Sequence, residues 1–252
     1  MKSITRREAL ATMGAAAVAT GLRAAGLKTT DPNVSGMMAN GKSSSTSMKV
    51  LLINGSPRAK GNTFRMLSEI AGRLEANGIS SEIVQIGVKP VRGCTACGKC
   101  RANGGRCIFN DDICNGIIDK MAGADALVVG SPVYYGQPAG PVLSLIQRMA
   151  YAGGATMNGK PAAAVTVCRR GGATAAFQTL QMPFQMLNMP IVTSQYWNIG
   201  YGASEGQVEQ DAEGLQTMRT LADNMAWLLK QLASGTAGRP SRERGVFTNF
   251  IK

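Results

Sequence analysis

Apolar residues fall in short runs, separated by stretches in which they recur every three or four positions. The run MKVLLI, from Met48 to Ile53, ends in a Gly/Pro loop and has the form of a buried strand. Behind that loop Phe64, Leu67, Ala71 and Leu74 stand at helical spacing until Asn77-Gly78 stops the pattern. Further strands are predicted at Ser81–Ile86, Ala124–Gly130 (ADALVVG), Ala162–Val167 and Ile191–Tyr196. Helices are predicted at Ile113–Met121, Pro141–Ala150 and Ala173–Leu187. A long last one, Val208–Leu232, carries Leu215, Met218, Ala222, Met225 and Leu229 on its apolar stripe.

Strand and helix in strict alternation require right-handed crossovers and a parallel sheet covered on both faces. Five strands predict an α/β, doubly wound domain of the flavodoxin-like order 2-1-3-4-5, with helices on both faces, since a full Rossmann fold needs six. Ligands of such sheets sit beyond the carboxyl ends of the strands, so the loops after strands one, three and four should carry the chemistry.

The first of those loops, Asn54-Gly-Ser-Pro-Arg-Ala-Lys-Gly-Asn-Thr63, opens directly onto a helix. Its backbone N–H groups and the positive helix end favour an anion, with Ser56, Asn62 and Thr63 as side-chain donors and Arg58 as a charge. It is neither a Walker A loop nor GxGxxG, which points to a terminal phosphomonoester rather than a nucleoside triphosphate or NAD. A plain turn with Asn62 or Thr63 capping the helix is the simpler alternative. The second loop, Ser131-Pro-Val-Tyr-Tyr-Gly136, offers two tyrosines as a wall for a flat aromatic ring. The third, Cys168-Arg-Arg-Gly-Gly172, could place Arg169 and the backbone of Gly171 and Gly172 against the electron-rich side of a flavin.

Four of the six cysteines crowd into GCTACGKCRANGGRC, at Cys94, Cys97, Cys100 and Cys107, a C-x2-C-x2-C-x6-C spacing. Three sulfurs at intervals of three suit three corners of one cubane, and the fourth closes the set. Structural zinc more often takes two CxxC pairs from separate turns, yet zinc and a disulfide both stay open beside [4Fe–4S]. Gly98, Gly104 and Gly105 permit tight wrapping, and Lys99, Arg101 and Arg106 would offset the charge of a thiolate-bound cluster. Cys114 and Cys168 read as small buried apolar residues.

The loops GSPRAKGNT and SPVYYG, with RRGG and Tyr196-Trp197-Asn198, together resemble the NADPH-dependent FMN reductase superfamily over roughly Met48 to Leu232. The cysteine segment is similar to that of its iron–sulfur flavoprotein branch. The resemblance implies a flavodoxin-like fold, noncovalent FMN, a compact [4Fe–4S] motif between strands two and three, and a homodimer or homotetramer. It implies that Ser56, Arg58, Asn62 and Thr63 hold the FMN phosphate, and that Pro132, Val133, Tyr134, Tyr135 and Gly136 line the ribityl chain and ring. Ferredoxin or NAD(P)H would be the electron donor.

The first residues, MKSITRREALATMGAAAVATGLRAAG, resemble a twin-arginine export signal, with Arg6-Arg7 and Leu10 in place and Ala9 where a bulky residue is usual. Residues 1–47 are expected to be this signal and a Ser/Gly-rich linker, 48–233 the FMN-binding domain with its cysteine insertion at 93–114, and 234–252 a basic tail. The apolar run is too short and Ala-rich for a stable membrane span. Export by a route that carries folded proteins, to the periplasm, is compatible with cofactors inserted beforehand; otherwise the protein is cytoplasmic. The net charge of +12 is spread along the chain and aromatics make up 5%, so no nucleic-acid surface is expected. Histidine is absent, which excludes imidazole catalysis and imidazole metal ligation. The expected function is FMN-dependent electron transfer in which a cluster and FMN exchange electrons. Two alternatives stand beside it: a cluster-free NAD(P)H-dependent FMN or quinone reductase, and a non-catalytic flavodoxin-like shuttle.

Overall fold

Strands β1 (Lys49–Asn54) and β3 (Ala126–Tyr134) form the centre of a parallel sheet in the computed structural model, which describes residues 48–240 together with 243, 246 and 248. The other strands are β2 (Ser80–Gln85), the two-residue β4 (Gln137–Pro138), β5 (Ala162–Cys168) and β6 (Ile199–Tyr201). The sheet runs β2-β1-β3-β5-β6, and β4 pairs antiparallel with the end of β3. With that short hairpin arm set aside, the parallel order is the flavodoxin-like 2-1-3-4-5. The helices are α1 (Asn62–Ala76), α2 (Cys114–Ala122), α3 (Gly140–Met157), α4 (Ala173–Met186) and α5 (Ala212–Ser234). No helix among the described residues is long and apolar enough to cross a membrane. The twin-arginine pattern, and the tail residues Arg242, Arg244 and Lys252, lie outside the described residues.

Because side chains alternate across a strand, each central strand feeds two cores. Leu51, Ile53, Leu127 and Val129 point to the side packed by α2, α3 and α4, against Ile117, Leu145 and Phe184 among others. Val50, Leu52, Ala126 and Val128 point to the opposite side, against Leu67 and Ile70 of α1 and Met218, Leu221 and Met225 of α5. Leu215, expected on the buried stripe of α5, is only partly buried, and Leu221 takes the deeper place.

Two boundaries differ from the sequence expectation for identifiable reasons. Strand β3 does not stop at Gly130; it runs through Ser131-Pro132 to Tyr134. The missing N–H of Pro132 is tolerated because the ladder with β1 has already ended at the Asn54–Gly130 pair, leaving that edge free while β5 pairs the other. The fifth strand is not Ile191–Tyr196. Ile191 makes a single bridge to Ala162, and the strand itself resumes at Ile199–Tyr201 beside Thr166–Cys168. Between them the buried Asn198 donates from Nδ2 to the Ala164 carbonyl at 3.1 Å, replacing a ladder bond, while the Tyr196 and Trp197 rings are carried outward.

Helices α1 and α5 are joined across the second core by charge. Arg73 makes a forked contact to Asp223 at 2.8 and 3.0 Å, and Glu69 accepts from Arg65 at 2.9 Å and Arg219 at 2.6 Å. Burial works against the Glu69 charge, but the two guanidinium hydrogen bonds outweigh it and hold the carboxyl below its ordinary 4.5. A folded-state pKa below the unfolded one gives stability that is complete above the unfolded value and disappears as pH falls through the folded one. Glu69→Gln should therefore cost about 0.5–1 kcal/mol at pH 7, with the difference from wild type shrinking as pH falls below the ordinary 4.5. Urea unfolding of both proteins at pH 7, 5 and 3.5 measures it.

Candidate functional site

The loop after β1 is held open by side chains rather than by its own turns. Asn54, fully buried at the strand end, accepts from the Ser56 N–H at 3.2 Å and donates to Gln85, whose Nε2 donates to the Ser56 carbonyl at 2.6 Å. Asn54 and Gln85 are register partners on β1 and β2, so strand pairing itself fixes the peptide of Ser56. The Ser56 hydroxyl accepts from the Arg58 N–H at 3.1 Å and keeps its proton free to donate. Gly55, the residue after β1, packs tightly on β3: its N–H donates to the Gly130 carbonyl at 2.8 Å, and a Cβ there would stand 2.7 Å from that oxygen and 2.9 Å from Val142.

Helix α1 begins at Asn62 after an extended Gly61, and no side chain caps it. The N–H groups of its first turn therefore have no intrahelical acceptor and face the loop. Thr63 is buried beside them. Asn62 does not serve as a cap: its Nδ2 donates to the Ser204 carbonyl at 2.8 Å, tying the first loop to the one after β6. Arg58 is exposed at the outer side of the loop.

The second and third loops meet at the same rim. Tyr135 and Gly136 form a two-residue hairpin turn between Tyr134 and Gln137, both with positive φ, 50° and 78°. A Cβ on Gly172, itself at φ +85°, would lie 2.7 Å from the Gly136 Cα, so the third loop is glycine because the hairpin backbone presses on it. Pro132 and Val133 are half-buried, whereas Tyr134, Tyr135, Arg169, Arg170 and Gly171 are exposed. The expected flavin residues thus stand along one edge of the sheet, with Arg58, Lys60, Arg169 and Arg170 as exposed cations of its loops.

The cysteine segment lies between β2 and α2 and lies against α3. Cys94, Cys97, Cys100 and Cys107 line one pocket, together with Ile108, Phe109, Arg148, Tyr151 and Ala152. Positive φ at Ala96 (52°), Gly98 (69°), Gly104 (63°) and Gly105 (79°) curls the chain around it. The Ala96 N–H donates to Cys94 Sγ at 3.4 Å, and the Cys100 thiol donates to the Tyr151 carbonyl at 3.5 Å. The Lys99 backbone N–H lowers the Cys97 thiol pKa below its ordinary value, with help from the Thr95 hydroxyl and the Lys99 charge. All six cysteines are free thiols. Among the described residues no three Cys, Asp or Glu groups already converge at metal-ligand distances, so the four sulfurs share a pocket without meeting at a point. Cys114 and Cys168 are buried, and desolvation pushes the Cys114 thiol up to about 11.

Three polar residues absent from the sequence expectation anchor this segment. Asn115, at the start of α2, accepts from the Cys107 N–H at 2.8 Å and donates to its carbonyl at 2.9 Å. Asp112 accepts from the Arg92 N–H and the Cys114 N–H, each at 3.0 Å, and from Arg148. Burial works against its charge, but these donors hold its carboxyl below the usual range. Arg148, 1% exposed, donates to Asp112, to the Arg92 carbonyl at 3.3 Å and to the Phe109 carbonyl at 3.2 Å. A signal for it was present in the sequence: it is the single charged residue in the eighteen of α3, and it sits one position from the buried Met149.

A parallel sheet in this order, with a capless helix N-terminus and two further loops folded onto the same rim, defines a flavodoxin-like α/β protein. The chain belongs to the NADPH-dependent FMN reductase family, whose profile matches residues 48–204. At that level it is a flavin-dependent oxidoreductase of an FMN-binding family. An iron–sulfur flavoprotein of Methanocaldococcus jannaschii is 32% identical over 191 residues, 73% of this chain and 98% of that protein. An iron–sulfur flavoprotein of Archaeoglobus fulgidus is 35% identical over 164 residues, 59% of this chain and 78% of that one. Among solved structures, RosB with bound 8-demethyl-8-formylriboflavin-5'-phosphate superposes with a TM-score of 0.59 at 14% identity, over 82% of this chain and 93% of RosB. A WrbA-like flavodoxin from Agrobacterium tumefaciens does so at 0.51 and 16%, over 74% and 99%. These likenesses are of fold.

The close approach at Gly55 gives a direct test of the rim. Gly55→Ala should cost about 1–3 kcal/mol through overpacking and weaken flavin retention, because the loop must shift away from Gly130. Gly72→Ala, on an open face of α1 where a Cβ meets nothing within 4 Å, should stabilise by about 0.5–1 kcal/mol. Thermal unfolding and the flavin content of purified protein measure both.

Proposed function

We propose that this protein is an FMN-dependent electron-transfer oxidoreductase in which FMN occupies the rim formed by the loops after β1, β3 and β5, and Cys94, Cys97, Cys100 and Cys107 hold a [4Fe–4S] cluster. The observation that carries the cluster is the single pocket lined by all four spaced cysteines and by a buried guanidinium whose Nε has no partner. A pocket of four thiols and an unmatched buried donor fits an anionic, sulfur-rich group. The names of the relatives in Methanocaldococcus and Archaeoglobus support the same reading.

At the rim, the Ser56 hydroxyl, Thr63 and the first-turn N–H groups of α1 bind the phosphate, with Arg58 supplying charge from outside. Asn62 contributes by position, holding the loop after β6 against the first loop. Val133, Tyr134 and the Tyr135-Gly136 turn flank the ring, and the Arg169 loop places a cation and glycine N–H groups near its pyrimidine edge, where added negative charge is stabilised. Bound there, the flavin exchanges one or two electrons and the cluster one. Histidine being absent, protons at the flavin come from water or from the Tyr134 and Tyr135 hydroxyls. Both rings are exposed, at 47% and 107%, which leaves the rim open to a donor such as ferredoxin or NAD(P)H or to a second copy of the chain.

Phosphate recognition separates FMN from riboflavin. FMN should bind at least about tenfold more tightly than riboflavin, and Ser56→Ala should remove about that factor for FMN while leaving riboflavin unchanged, since a hydrogen bond to a charged group is worth about 1.5–3 kcal/mol. Quenching of flavin fluorescence on titration measures both, and equal affinities would place the phosphate elsewhere.

Anaerobically purified protein should contain about four iron and four sulfide per chain, with a broad visible shoulder that Cys97→Ala removes. Flavin-loaded, iron-free protein that oxidises NADPH at full rate would instead establish a cluster-free reductase.

A further inference from the structure

We infer that Arg148 sets the reduction potential of the group held by the four cysteines, donating its Nε–H to a sulfur of that group from beneath the pocket. This rests on the reading of the cysteine segment as a cluster site, and adds to it a positioning residue on a separate element, α3.

Among the described residues, Arg148 Nε is the one buried side-chain nitrogen or oxygen without a hydrogen-bond partner. Nη1 donates to Asp112 and the Arg92 carbonyl and Nη2 to the Phe109 carbonyl, so the plane of the guanidinium is fixed from its far side and Nε is the nitrogen left with no partner at all. A buried donor without a partner is costly, and it stands on a helix that carries no other charge. The side chain lines the pocket together with all four cysteines, and its guanidinium stands against the Cys107 thiol.

The other cations do not occupy an equivalent place. Arg106 is paired with Asp119 and Arg92 with Asp111, both at the surface, and Lys99 and Arg101 are solvated. Exposed charges are screened by solvent and salt, whereas a buried one is screened much less. Asp112 neutralises the Arg148 charge at long range, so the effect falls on the atoms nearest Nε. Adding an electron makes a thiolate-bound cluster more negative; an N–H donor and the nearer end of a buried ion pair stabilise that form and raise the potential.

A purely adhesive role for Arg148 would affect stability and leave the potential alone, so potential is the readout. Reduced with dithionite in mediated titrations followed by EPR, Arg148→Lys should lower the cluster midpoint by at least a tenfold change in the reduced-to-oxidised ratio, about 59 mV for one electron. The paired variant Arg148→Met/Asp112→Asn, which leaves no unpaired buried charge, should lower it likewise. In wild-type protein carrying 15N-labelled arginine, the reduced cluster should show a weak 15N hyperfine coupling that Arg148→Lys abolishes. That measurement needs only wild-type folding, should a variant lose its iron. An iron-loaded wild type without arginine coupling, or variants with an unchanged midpoint, overturns the role of Arg148 alone. A wild type that binds no iron overturns the cluster reading and this inference together.

Discussion

A parallel sheet covered on both faces has only its ends to offer to chemistry. Every side chain of β1 from Val50 to Ile53, and of β3 from Ala126 to Val129, is consumed by one of the two cores, with no exposed surface left. A ligand must then be met by loops at the carboxyl edge, or by chain inserted between a strand and its helix. This protein has both kinds of segment. The rim loops are short and set by strand pairing: Gly55 and Gly130 touch because β1 and β3 are neighbours, and Asn54 reaches Gln85 because β1 and β2 are in register. Positioning at the rim is therefore a by-product of the sheet, which is rigid.

The cysteine insertion has no such frame. Residues 86–113 contain no strand or helix, and four sulfurs in irregular chain would be free to wander. Three buried polar side chains take the place of secondary structure. Asn115 closes a two-way pairing on the peptide of Cys107, Asp112 gathers the N–H groups of Arg92 and Cys114, and Arg148 collects two carbonyls and the Asp112 carboxylate. A buried pair of this kind contributes little net stability against an apolar substitute, because desolvation offsets the attraction. What it provides is one definite arrangement: breaking it from one side leaves a buried charge, so alternative placements of the loop are disfavoured steeply.

The parts legible in the sequence are those governed by period. Four of five parallel strands, the helices and the glycine loops stand close to where alternation and turn chemistry put them. The misses follow from interactions that no local pattern encodes. Ser131-Pro132 reads as a break until it is known that β1 ends earlier and leaves a free edge. Residues 191–196 read as a strand because they open on the β-branched run Ile191-Val192-Thr193, yet Asn198, two residues beyond, carries the ladder bond. Asn62 reads as a phosphate donor by its place at the helix start, and only the return of the chain after β6, bringing the Ser204 carbonyl within 2.8 Å, redirects it. The four cysteines are visible by spacing, while their anchors are dispersed over α2 and α3. Arg148 alone left a trace, as a solitary charge on an apolar helix.

Helix α3 connects the two regions. It starts at Gly140, two residues after the hairpin that closes on the rim, and carries Arg148 and Tyr151 at the cysteine pocket. The eight helical steps from Gly140 to Arg148 advance about 12 Å, and the segment packs on β1, β3 and α2 through Val142, Leu145 and Met149. The distance between a ligand at the rim and one at the sulfurs is thus fixed by a rod packed in the core rather than by the irregular chain that supplies the ligands. Under the proposed function, in which the two places hold groups that exchange electrons at a rate set by their separation, α3 would keep that spacing while the insertion stays irregular.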